Sequence, residues 1–137
     1  MISLTCTAIL HAALLSTGGA TYTEAHQLNL QTGRPLVVLV GADWCPHCRV
    51  MKQSTLPQVA QRGLLGKVAF AEVNSDREGT LARQLMEGGP IPQLIMYHKT
   101  ADGWQRSSLV GSRSAGEIES FLQRGLAAPT SQQLGAR

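Results

Sequence analysis

The apolar run Pro35-Leu36-Val37-Val38-Leu39-Val40 is followed, after Gly41-Ala42-Asp43, by Trp44-Cys45-Pro46-His47-Cys48. The run has no polar alternation, which predicts a central strand covered on both faces. Pro46 suits the first turn of a helix, where a missing N–H costs little. The chain therefore passes from a buried strand into a helix at Cys45. Two thiols three positions apart at such a junction form a reversible dithiol/disulfide site. Unpaired N–H groups and the dipole at a helix start favour a thiolate, and the thiolate is the form that attacks a disulfide.

The other elements follow from periodicity and caps. Residues 23–30 predict a short helix, with Thr23 as N-cap and Gly33 as its stop. The helix from Cys45 is expected to break or kink at Pro57, with Ser54-Thr55 capping a second segment that Gly63 and Gly66 end. Residues 68–74 read as a second strand. Asp76 is expected to cap a helix through Met86, with Leu81 and Leu85 on one face. Gly88-Gly89-Pro90-Ile91-Pro92 is a rigid turn before a strand over 93–98. Ala101-Asp102-Gly103 turns the chain into a strand over 104–110. Ser114-x-x-Glu117 is a capping box for a last helix to about Arg124. This order predicts an α/β fold: a central mixed sheet of about four strands flanked by helices, with one parallel pair and one antiparallel hairpin.

At 137 residues the chain holds one core and not two. A hydrophobic content of 43% predicts a packed domain. The net charge of +3 is mild, and aromatic residues, at 4%, do not interleave with basic ones. Nucleic acid is therefore not an expected partner. Three cysteines, Cys6, Cys45 and Cys48, are too few for a disulfide scaffold. Residues 2–15 are mostly apolar, and Gly18 and Ala20 suit a small-x-small cleavage site. This segment is too short for a permanent membrane span and resembles a signal peptide, although no Lys or Arg precedes it. The expected organisation is a signal peptide over 1–20, a domain over 21–127 and a flexible polar tail over 128–137. Export from a bacterial cell would remove Cys6; the alternative is a cytoplasmic protein that keeps residues 1–20 as an N-terminal strand or helix.

The strand–WCxxC–helix start, the Ile91-Pro92 step before a strand, and Gly111 before a capped helix resemble the thioredoxin superfamily. The run Ala71-Glu72-Val73-Asn74-Ser75-Asp76 adds to the likeness, which covers about residues 23–125. The resemblance implies a thioredoxin fold, thiol–disulfide exchange without a cofactor, and a cis Pro92 facing the disulfide. Two positions depart from the pattern: Leu39 replaces a buried aspartate of the central strand, and Glu72 replaces a lysine. The Pro-His dipeptide resembles disulfide oxidases of the DsbA type, whose large helical insertion does not fit in a chain of this length.

Cys45, at the helix start with an exposed sulfur, is the expected nucleophile. Cys48, one turn further in and more buried, is expected to resolve the mixed disulfide. His47 would stabilise the Cys45 thiolate and make the Cys45–Cys48 disulfide more oxidising; the plain alternative is an exposed helix residue. Pro46 rigidifies the first turn. Pro92 removes a donor and leaves neighbouring backbone free to pair with an extended substrate. Trp44 is expected to line the substrate surface. Glu72, if it points beneath the cysteines, would exchange a proton with Cys48; otherwise it faces solvent or pairs with Lys or Arg. Met51, Met86 and Met96 read as core filler. The sequence thus predicts a monomeric protein-disulfide oxidoreductase with protein thiols or disulfides as substrates and a separate redox partner. The rivals are a CxxC module holding copper or zinc, which lacks a second CxxC or spaced histidines, and a redox-inert interaction domain.

Overall fold

The computed structural model describes residues 20–127. Residues 1–19 of the expected signal peptide over 1–20, and the expected tail at 128–137, lie outside the described residues. The elements are α1 (Tyr22–Thr32), β1 (Leu36–Gly41), α2 (Pro46–Val50), a π-helical turn (Met51–Thr55), α3 (Leu56–Gln61), a short 3-10 turn (Leu65–Lys67), β2 (Ala69–Asn74), α4 (Gly79–Met86), β3 (Gln93–Thr100), β4 (Gly103–Val110) and α5 (Ala115–Ala127). The sheet order is β2-β1-β3-β4. β1 runs parallel to β2 and antiparallel to β3, and β3 and β4 form the antiparallel hairpin.

The uninterrupted apolar sequence of β1 is explained by its place. Val37 and Leu39 point into a core with Met51, Val59, Ile118 and Leu122. Val38 and Val40 point to the other face, against Ala25, Ala82 and Leu85. Complete burial of one Val or Leu side chain stabilises a fold by roughly 1.5–3 kcal/mol, so β1 anchors both layers. Among the described residues no helix is long and apolar enough to cross a membrane.

Several local expectations are corrected. Thr21, not Thr23, caps α1: its hydroxyl accepts from Glu24 N, and the Glu24 carboxylate accepts from Thr21 N at 2.8 Å. Gly33 ends that helix at φ +72°. Pro57 does not break the helix. The π turn, closed by Leu56 N donating to Met51 O, carries the helical path into α3, and a π turn of this kind absorbs the register lost at a residue without an N–H. Thr55 stays helical and caps nothing. Asp76 does not cap α4 either. That helix starts after Glu78 without a side-chain cap, and Asp76 is held instead in a turn in which the Asn74 side chain accepts from its N–H at 2.9 Å. The Ser114/Glu117 box at the start of α5 is complete.

Candidate functional site

β1 ends where Ser75 N donates to Gly41 O at 2.8 Å, and Cys45 N then donates to Ala42 O at 3.2 Å. This short turn delivers Cys45 to the N-cap of α2 in an extended conformation. Its sulfur accepts from the Cys48 N–H at 3.2 Å. A helix-start N–H aimed at sulfur is the interaction that lowers a thiol's pKa in the reduced state. Cys45 and Cys48 are paired as a disulfide, with Cα atoms 5.2 Å apart.

The expected difference in burial between the two thiols is absent. Both cysteines are 5% exposed; they form a buried cluster with Ala42, and Ile91 packs against that cluster. Cys48 also has the backbone close behind it. A Cβ placed on Gly41 would stand 3.1 Å from both Cβ and Sγ of Cys48. Gly41, read from the sequence only as part of a turn, thus makes room for the second sulfur; its position directly after the apolar run was the available signal.

The flanking residues divide into two groups. Pro46 and His47 are exposed on the first turn of α2. Trp44 is 67% exposed, yet its indole N–H donates to Asp76 Oδ2 at 2.9 Å. Beside it, Arg77 lies 3.3 Å from Asp43. These two contacts tie the dithiol turn to the turn after β2. Pro92 is buried, and the Ile91–Pro92 peptide is cis. Gly111 N donates to Pro92 O at 2.8 Å, which fixes the start of β3 against the end of β4.

Glu72 pairs in register with Leu39, on the face of the sheet covered by the π turn, α3 and α5. Its Oε2 lies 2.8 Å from Lys52 Nζ, with the Glu72 side chain 21% exposed. Both charges line a pocket of about 410 Å³ whose walls include Leu39 and Cys48. Glu72 therefore points beneath the helix that carries the cysteines, and it also has the ion pair given as its alternative. Among the described residues no group of three or more His, Cys, Asp and Glu stands close enough to hold a metal ion.

Sequence reasoning also missed Gln93. It is 2% exposed at the head of the otherwise apolar β3, and its Nε2 donates to Gly88 O at 2.8 Å. A lone amide opening an apolar strand was its only signal.

The family model described as Thioredoxin matches residues 19–124. Among solved structures, a thioredoxin from Thermus thermophilus superposes with a TM-score of 0.65 at 27% identity, covering 78% of this chain and 85% of its own. A chloroplastic thioredoxin z gives 0.62 at 20% identity, over 81% and 95%. A Trichomonas vaginalis thioredoxin gives 0.58 at 21% identity, over 77% and 92%. The last two show the shared fold. No curated protein matches the sequence significantly. The family match over most of the domain and the paired cysteines at the strand–helix junction agree: the chain belongs to the thioredoxin family of thiol–disulfide oxidoreductases.

Proposed function

We propose that the chain acts on protein disulfides, with Cys45 as nucleophile and Cys48 as resolving thiol. The observation that supports this reading most is the Cys45 sulfur at the N-cap, receiving the Cys48 N–H while paired with the Cys48 sulfur. In the reducing direction the Cys45 thiolate attacks a substrate disulfide. One substrate sulfur leaves as thiolate, and the other stays bonded to Cys45. Cys48 then loses its proton and attacks Cys45 Sγ, so the second substrate sulfur leaves. Two electrons pass from the dithiol to the substrate, and the oxidising direction is the reverse. Glu72, on the wall of the pocket that contains Cys48, is the carboxylate that takes the Cys48 proton. Trp44 and the exposed first turn of α2 form the surface that a protein substrate meets. His47 and Pro46 make the centre less reducing than an ordinary thioredoxin. The protein works as an exported monomer, supplied by a separate redox partner.

Insulin reduction under a coupled reductant tests the reading. The wild type is expected to turn over and Cys45→Ala to be inactive, while Cys48→Ala accumulates a mixed disulfide with its partners. A wild type without turnover, or one that binds a stoichiometric metal lost on Cys45→Ser, replaces this reading with one of its rivals. Equilibration with glutathione places the potential; a value as low as that of thioredoxin removes the role given to Pro46 and His47.

A further inference from the structure

The segment between α4 and β3 carries Ile91, which packs beside the dithiol. Glu87, Gly88 and Gly89 are all left-handed, at φ 54°, 103° and 88°. Glu87 N donates to Arg83 O at 3.3 Å, and beyond that bond three such residues in a row have no repeating backbone hydrogen bonds, which leaves side chains to hold the segment. At the near end, Arg106 donates to Leu85 O at 2.7 Å and to Met86 O at 3.1 Å, and lies 3.7 Å from the Glu87 carboxylate. At the far end, the Gln93 amide reaches back over Pro92, Ile91, Pro90 and Gly89 to Gly88 O. The ring it closes contains Ile91, which packs against the cluster of Ala42, Cys45 and Cys48.

Gln93 sits between Val40 and Val110 in the sheet and precedes Leu94, Ile95 and Met96, all buried. Burying an amide at such a place costs free energy unless it is hydrogen-bonded, and Leu or Met would fill the volume without that cost. The amide's contribution is the Gly88 contact. The opposing surface is cleared for it, since a Cβ on Gly89 would come within 2.9 Å of Gln93 Nε2.

We propose that Gln93 is a positioning residue for polypeptide substrates: its bond to Gly88 holds Ile91 and Pro92 in place beside the dithiol. The inference rests on the oxidoreductase reading above. A polypeptide lying across the dithiol meets this segment, whereas a small disulfide meets the sulfur alone. Loss of the clamp therefore weakens the first interaction and spares the second. Gln93→Met keeps the length and removes the donor. Its KM for a disulfide-bonded peptide is expected to rise about five- to tenfold, the net value of one hydrogen bond. Its kcat, its reaction with 5,5′-dithiobis(2-nitrobenzoate) and its Cys45 alkylation rate should stay within about twofold. Gln93→Leu, which also lacks the donor, should give the same split, and it carries the test if Gln93→Met does not fold. Equal losses toward peptide and small disulfide, or no change toward either, overturn the assignment. A wild type that fails to reduce the peptide defeats the oxidoreductase reading itself; a normal wild type with unchanged variants defeats only the role of Gln93.

Discussion

Lys52 Nζ stands 2.8 Å from Glu72 Oε2, and the pair lines the same pocket as Cys48. With the Lys52 side chain 52% exposed, the pair contributes little to stability, on the order of 0–1 kcal/mol. In the proposed mechanism its effect falls on the proton balance of the resolving step. Asp43, Arg49, Arg77 and Glu78 complete the charges around the pocket. Glu72→Gln should leave the melting temperature nearly unchanged and prolong the mixed disulfide by about a hundredfold, the lower end of general acid–base effects. Lys52→Met should act in the same direction and more weakly, and Lys52→Arg should resemble the wild type. Acid-quenched mass spectrometry of the mixed disulfide reads the effect. A Glu72→Gln variant that resolves at the wild-type rate removes Glu72 from the mechanism.

The approach of Gly41 to Cys48 predicts a different kind of defect. A methyl group 3.1 Å from both Cβ and Sγ of Cys48 forces either β1 or the first turn of α2 to move. Both are packed, so Gly41→Ala should cost about 1–3 kcal/mol, as overpacking does. The strain falls on the sulfur itself, so the cost should differ between the oxidised and reduced proteins. Urea unfolding of each form measures it. Equal stability of variant and wild type in both forms would show that the turn yields freely.

His98 gives a pH dependence. Burial holds its pKa below the ordinary histidine value, and its Nδ1 is buried without a hydrogen-bond partner. Arg34, Lys67 and Lys99 line the same cavity. The folded chain thus binds this proton less readily than the unfolded chain. As pH falls through the ordinary histidine range near 6.5, the unfolded state takes up the proton first and stability declines. The urea midpoint should drop between about pH 7.5 and 5.5, and His98→Gln should flatten that slope. A variant with the same slope as wild type would assign the loss to other groups.

Much of this molecule is legible along the chain. The run over 36–40 could only be a strand buried on both faces, and Trp44-Cys45-Pro46-His47-Cys48 placed a dithiol at a helix start. Gly33 and the Ser114/Glu117 box mark helix ends through contacts within one turn, which sequence spacing specifies directly. The errors share a cause. Asp76 was expected to serve the helix after it, and the fold gives it to Trp44 at a separation of 32 residues. Pro57 was expected to break or kink a helix; the helix is not broken, because the packing of Met51, Leu56 and Val59 into one core carries it through.

The sequence alone determined which residues are apolar, where the strand gives way to the helix, and which two sulfurs stand close enough to pair. Tertiary structure decided that Glu72 lies opposite Leu39 and meets Lys52, that Gly41 backs onto Cys48, and that Gln93 closes the loop over the disulfide. Each of those contacts depends on strand register or on the approach of two elements. Local propensity acts over a few residues and does not encode either; only simultaneous burial of both faces of the sheet sets them.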